Sequence, residues 1–162
     1  MTFGSVCSGI EAASVAWEPL GWRCSFVSEV EPFPCALLSH YWPSVPNYGD
    51  LNECAQWPAH AIDVLVGGTP CQDFSVAGQR AGLGGARGGL TMRFLDCLER
   101  FAPAFCVWEN VPGVLSIDAG AAFGAFLGGL AKRGYGFAYR VLDCQYFGLA
   151  QRRERVFVVG CA

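Results

Sequence analysis

Short apolar runs alternate along this chain with stretches whose apolar positions recur every three or four residues. "TFGSVC" (2–7) is a short run of the buried type, followed by a helical stretch from about Glu11 to Leu20. "CSFVSE" (24–29) is a second such run, followed by a helical stretch from about Pro32 to Tyr41. "DVLVGG" (63–68) and "AFCVWEN" (104–110) are rich in Val and aromatic residues and end in turn-forming groups, the pattern of strands buried on both faces. Between them Met92, Leu95, Leu98 and Phe101 keep helical spacing. Asp118 is expected to cap a further helix, with Phe123, Phe126, Leu127 and Leu130 on one face and Gly134 as its stop. "FAYRVLD" and "RVFVVG" then predict two late strands. The alternation predicts an α/β fold: a mostly parallel central sheet with helices on both faces and ligands at the carboxyl ends of the strands.

One segment does not fit this rhythm. "GGTPCQDFSVAGQRAGLGGARGGL" (67–90) leaves a predicted strand and runs on without a usable helical or strand pattern. Loops of this length in compact domains are usually binding loops or lids, and this one begins on the ligand side of the predicted sheet.

Composition changes the picture in two ways. With 162 residues, 52% of them hydrophobic and 15% charged, the chain suits one well-cored domain rather than a disordered segment. No secretory signal is visible and no apolar stretch is long enough to span a bilayer, so the expectation is a soluble, cytoplasmic protein with no membrane partner. The nine cysteines show no zinc-type spacing, so no metal is expected, and most of them read as small core residues in a reducing compartment. The net charge of −3 hides an asymmetry: residues 1–79 hold eight acids and one base, residues 80–162 six acids and ten bases, giving −7 and +4. Such a split suits a second half that faces an anion; a solvated mixture of charges is the alternative.

Three places carry candidate chemistry. Cys71 follows Pro70, and Thr69 before that proline is pushed to an extended conformation, so the thiol should leave the sheet edge as a candidate nucleophile. A buried core cysteine is the competing reading. In "WENVPGVLS" Glu109 ends an apolar strand, where a carboxyl can hold or supply a proton; an ordinary turn residue is the alternative. In "QRRERVF" Arg153 and Arg155 stand two apart before a strand, so both guanidinium groups can face one anionic site unless they are simply a solvated strand edge.

The three occur in this order, 38 residues apart from Cys71 to Glu109 and 44 from Glu109 to Arg153. In that combination, with matching blocks from Phe3 to Gly160, the sequence resembles the cytosine-5 DNA methyltransferase family. The resemblance implies a Rossmann-like S-adenosylmethionine-dependent methyltransferase fold. It also implies that Cys71 attacks carbon 6 of a cytosine, that carbon 5 takes the methyl group of S-adenosylmethionine, and that a base removes the carbon 5 proton. Glu109 matches the glutamate at ring nitrogen 3 and the exocyclic amine, and Arg153 and Arg155 match the arginines near the base and its backbone. Positive charge there should favour the Cys71 thiolate. The substrate implied is double-stranded DNA with its cytosine flipped out. The long loop would close over that DNA, with Ser75, Gln79, Arg80 and Arg87 as contacts.

The resemblance places the cofactor on the acidic first half. "GSVCSGIEAAS" stands where the family has its strand-turn-helix loop, so Cys7, Ser8, Gly9, Ile10 and Glu11 are cofactor candidates. Glu29 would take the ribose hydroxyls, Asp50 the adenine amine, and Val30, Leu51, Pro70 and Leu90 the remaining contacts. Glu11 and Ala12 replace the paired glycines common at that turn, and Cys7 replaces the usual aromatic; Glu11 also suits a helix N-terminus with no cofactor role. A nicotinamide-dependent oxidoreductase would share the strand-turn-helix, but the turn lacks GxGxxG and such an enzyme needs no Cys71, Glu109 and Arg153 set. Family members continue past the "RVFVVG" block into a target-recognition region and a returning segment. The expectation is therefore one cofactor-binding and catalytic domain over 1–162 without the target-recognition region, which a second polypeptide could carry or a truncation could have removed. The alternative is a truncated or split subunit that binds cofactor or DNA and is weakly active without its partner.

Overall fold

The computed structural model describes residues 1–70 and 89–162. The apolar runs form six strands: β1 (Thr2–Val6), β2 (Arg23–Ser28), β3 (Val64–Gly67), β4 (Phe105–Asn110), β5 (Gly136–Asp143) and β6 (Glu154–Cys161). They make one sheet in the order β2-β1-β3-β4-β6-β5. Pairings among β1 to β4 are parallel, whereas β6 runs antiparallel to both β4 and β5. The mostly parallel sheet thus carries one reversed strand. Its cause is the connection from Cys144 to Arg153, too short to hold a crossover helix, so the chain must turn back beside β5.

The described helices are α1 (Ala12–Trp17), α2 (Pro32–Tyr41), α3 (Leu90–Phe101) and α4 (Ala121–Lys132). α3 is amphipathic and buries Phe94, Leu95, Leu98 and Phe101 against the sheet. α4 adds Phe126, whose ring lies 4.4 Å from that of Trp108 on β4. On the opposite face Phe3 of β1 meets Trp17 of α1 edge-on at 5.0 Å. No described helix is long and apolar enough to cross a membrane.

Two sequence expectations need correcting. Asp118 does not cap α4: its backbone is left-handed at φ 49°, and Gly120 occupies the cap position with no side-chain hydrogen bond. The chain makes a separate 3-10 turn from Ile117 to Gly120 first, which moves the helix start beyond the reach of Asp118. Nor are most of the cysteines core residues. Among the described ones Cys54, Cys97 and Cys106 are buried, Cys7, Cys24, Cys35 and Cys144 are half-buried, and Cys161 is exposed. The less buried ones lie at strand ends, in turns or, for Cys35, on α2 against the polar turn at Glu29 and Asn47, away from the apolar core. Gly134 does end the α4 region, with φ 86°.

Gly4 shows how tightly the first strands are fitted. The β1–β2 register shifts between Phe3 and Gly4, and a Cβ at Gly4 would lie 2.2 Å from the Phe26 ring. Phe26 is fully buried and its ring packs against Trp57 and Phe101. Gly4→Ala should therefore lower unfolding free energy by about 1–3 kcal/mol through overpacking. Gly124 lies inside α4 with open space around it, so Gly124→Ala should raise stability by about 0.5–1 kcal/mol. Urea unfolding of both variants checks the opposite signs.

Candidate active site at the carboxyl ends of the strands

β3 and β4 lie side by side in parallel, so their last residues deliver Gly67, Gly68 and Thr69 beside Glu109 and Asn110. A buried polar knot holds them together. The Thr69 hydroxyl lies 2.8 Å from that of Thr91 and accepts a hydrogen bond from Trp108 Nε1 at 3.1 Å. Asn110 Nδ2 donates to the Thr69 carbonyl at 2.7 Å, and Asn110 Oδ1 accepts from Val111 N–H at 2.9 Å. Thr69 and Thr91, 3% and 6% exposed, stand on either side of the long Gly-rich segment, so one hydrogen bond joins the two ends of that segment inside the protein. Thr69, Thr91 and the amide of Asn110 were not singled out from sequence. Only their places beside Pro70, at the start of α3 and after Glu109 signalled them.

Glu109 is half-buried and its Oε1 pairs with Arg155 Nε at 2.9 Å. Its other oxygen fills the space above Gly68, where a Cβ would lie 2.8 Å from Oε2. Arg155 is thus committed to Glu109. Arg153 lies just before β6, and its side chain lines a cavity of about 560 Å³ shared with Glu109, Ser8, Gly9 and Glu11. Cys71, Ser75, Gln79, Arg80 and Arg87 lie outside the described residues.

The expected cofactor residues divide between two cavities. Cys7, Glu29, Val30, Asp50, Leu51, Pro70 and Leu90 line one of about 360 Å³, together with Glu31 and Gly68. Among the described residues its charged lining is Glu29, Glu31 and Asp50, which suits a cationic, hydroxyl-rich ligand. Glu29 already accepts from Gly9 N–H at 2.7 Å and from the Val30 and Glu31 N–H groups at 2.8 and 2.9 Å. It therefore tethers the β1–α1 turn to β2, and Oε2, which accepts only the Gly9 bond among these, keeps capacity for another donor. The Asp50 carboxylate accepts from Asn52 N–H at 2.9 Å and caps the following 3-10 turn. Cys7 and Gly68 border both cavities, so the two share a wall. Ile10 is exposed and borders neither cavity.

Glu11 is held in the left-handed region at φ 62°, the conformation a glycine adopts freely. Its side chain is buried and accepts from Ser14 N–H at 3.0 Å and Ser14 Oγ at 3.2 Å, capping α1. Burial raises its carboxyl above the ordinary value, with Glu18 acting in the same direction, and hydrogen bonds from Ser5 and Ser14 only partly compensate.

The C-5 cytosine-specific DNA methylase family matches residues 1–162. This chain belongs to that family. It is 45% identical to a protein of Escherichia phage P1 named DNA N-6-adenine-methyltransferase, a match covering 100% of this chain and 28% of that protein. It is 35% identical to the type II methyltransferase M2.BsuMI of Bacillus subtilis (strain 168), covering 96% of this chain and 40% of that one. The chain therefore spans less than half the length of these relatives. Among solved structures the S. pombe Dnmt2 methyltransferase superposes with a TM-score of 0.83 at 17% identity, over 99% of this chain and 50% of that one. That likeness establishes the Rossmann-like methyltransferase fold.

Thr69→Val should cost about 1–3 kcal/mol, because the Trp108 N–H and the Thr91 hydroxyl lose a buried partner. Adding Thr91→Val should cost less than its effect alone, since the second change removes a group already left unpaired. Denaturant unfolding of the cycle reads this coupling, and strict additivity would contradict it. A second prediction follows from Glu11. A carboxyl whose folded value is raised binds more protons in the folded state, so its contribution to stability falls as pH rises from about 4.5 through the folded-state value. Glu11→Gln should flatten that slope and raise the melting temperature at neutral pH relative to the parent; equal slopes would contradict it.

Proposed function

We propose that this domain is the cofactor-binding and catalytic part of a DNA (cytosine-5)-methyltransferase using S-adenosylmethionine. The observation that carries the reading is the shared wall at Cys7 and Gly68. It sets a cavity lined by carboxylates next to one lined by Glu109 and Arg153, with Pro70, the residue before Cys71, on its rim. A methyl donor on one side and a base on the other would meet across that wall. S-adenosylmethionine, when bound, supplies an electrophilic methyl group on a cationic sulfur, with Glu29 and Asp50 as the residues that would hold its ribose and adenine.

The chain's own residues do the rest. The Cys71 thiolate adds to carbon 6 of the flipped cytosine, and the displaced electron pair makes carbon 5 nucleophilic. Glu109 hydrogen-bonds ring nitrogen 3 and the exocyclic amine, limiting negative charge on the ring. Arg155 fixes the rotamer of Glu109 through their 2.9 Å pair. Arg153 adds positive potential that favours the thiolate and the DNA backbone. After methyl transfer, a base removes the carbon 5 proton and the Cys71–carbon 6 bond breaks, restoring the thiolate. Gln79, Arg80, Arg87 and Ser75 are assigned to DNA contact on the loop. Sequence selection is assigned to polypeptide outside the matched span, as a continuation or a second chain, with weak activity expected until it is supplied.

The name of the phage P1 relative favours a second reading, methylation of the adenine amine. This chain covers 28% of that relative, so the name can describe chemistry carried by its remainder. An exocyclic amine also attacks a methyl donor directly, which leaves Cys71 without a task. Duplex DNA containing 5-fluorocytosine, incubated with S-adenosylmethionine, should trap a covalent adduct on Cys71, because fluorine does not leave as a proton does. Cys71→Ser should form no adduct and should lower turnover by about three orders of magnitude or more. Undiminished turnover by that variant would contradict the assignment.

A further inference from the structure

The loop joining β5 to β6 exposes an unusual amount of apolar surface. Tyr146, Phe147 and Leu149 are 81%, 66% and 57% exposed, on a turn closed by Gly148 at φ 87°. Floppiness does not account for it, because the loop is built around one buried carboxylate. Asp143 Oδ1 accepts from Gln145 N–H at 3.2 Å and Arg153 N–H at 3.0 Å, and Oδ2 accepts from the Gln145 amide at 2.7 Å. Burial opposes the charge on Asp143, but these bonds and the nearby Arg152 outweigh it and hold its carboxyl below the ordinary range. Cys144 N–H donates to the Arg153 carbonyl at 3.1 Å, closing the base of the loop. The apolar side chains are therefore presented in a fixed shape to solvent.

Position and charge identify what would cover them. The loop leaves the carboxyl end of β5, the same end of the sheet as Glu109, and β6 alone separates β5 from β4. Two strand spacings place it about 10 Å to the side of Glu109, within the footprint of a duplex whose base reaches that residue. Arg152 and Arg153 border the loop, and among the described residues neither forms an ion pair with an acid. Aromatic faces next to cations suit a nucleic acid, in which bases offer stacking surfaces and phosphates offer charge.

We propose that the Tyr146–Leu149 loop is a nucleic-acid contact, in which Tyr146 and Phe147 pack on base faces uncovered beside the flipped nucleotide while Arg152 takes a phosphate. The proposal rests on the function proposed above. It adds a contact surface on the flank of the site away from Thr69 and Thr91, held by Asp143.

The test is the affinity of the parent chain and of Tyr146→Ala/Phe147→Ala for a short fluorescent duplex with one unpaired cytosine, titrated by anisotropy at several salt concentrations. The double variant should bind at least about fivefold more weakly, since base–aromatic stacking is worth that much or more. Its salt dependence should match the parent's, because no charge is removed. Arg152→Ala should instead reduce the salt slope by about one phosphate contact. Tyr146→Phe/Phe147→Tyr, which keeps both rings, should bind as the parent does. All variants should retain the parent's affinity for S-adenosylmethionine, which reports an intact fold. Equal DNA affinity of parent and double variant overturns the contact alone. Equal affinity with lost self-association makes the loop a protein-docking surface, which also overturns it. A parent that binds no duplex at low salt overturns both this contact and the proposed function.

Discussion

The hydrogen-bonded knot at Thr69 is the constraint on which the rest of the site depends. A threonine hydroxyl buried to 3% exposure must be paired, and here it is paired twice, to Trp108 and to Thr91. The consequences spread along three elements. The tie to β4 fixes where Glu109 emerges, the tie to α3 fixes the first turn of that helix, and the Asn110 bond fixes the carbonyl just before Pro70. Thr69 and Thr91, which flank the Gly-rich segment in the sequence, are thereby clamped to each other and to β4.

Charge is distributed to match. Carboxylates gather around the smaller cavity, where Glu29 and Asp50 also organise the turns that carry them. Arginines gather at the entry to β6, where Arg155 is neutralised by Glu109 and Arg153 borders the larger cavity. The asymmetry between the two halves of the sequence thus becomes two neighbouring regions at one edge of the sheet. Each carboxylate with a structural bond retains lone pairs for a ligand, so holding the fold and binding do not exclude each other.

Much of the fold was legible because the buried strands are short, rich in β-branched and aromatic residues, and separated by clear turn residues; the helix starting at Pro32 and the stop at Gly134 follow that logic. The reversed direction of β6 was written in the short connection before it, which excludes a crossover. Asp118 misled because a capping residue type does not reveal an intervening 3-10 turn. The cysteines misled because small size permits burial without requiring it. At the site, residue identity pointed to Glu109, and the family resemblance pointed to Glu29 and Asp50. The Thr69–Thr91 bond was not legible, because a threonine that closes a loop of twenty-odd residues looks like any other threonine until both ends are seen to meet. The capping of α1 by Glu11 was visible as an alternative, whereas its left-handed backbone was not.

The central claim is that this arrangement methylates carbon 5 of cytosine, and the product itself tests that most directly. Duplex DNA treated with the protein, labelled S-adenosylmethionine and any recognition polypeptide supplied should be digested to nucleosides, and the labelled species identified by chromatography and mass spectrometry. The account predicts label in 5-methylcytosine; label in N6-methyladenine with none in 5-methylcytosine would contradict it.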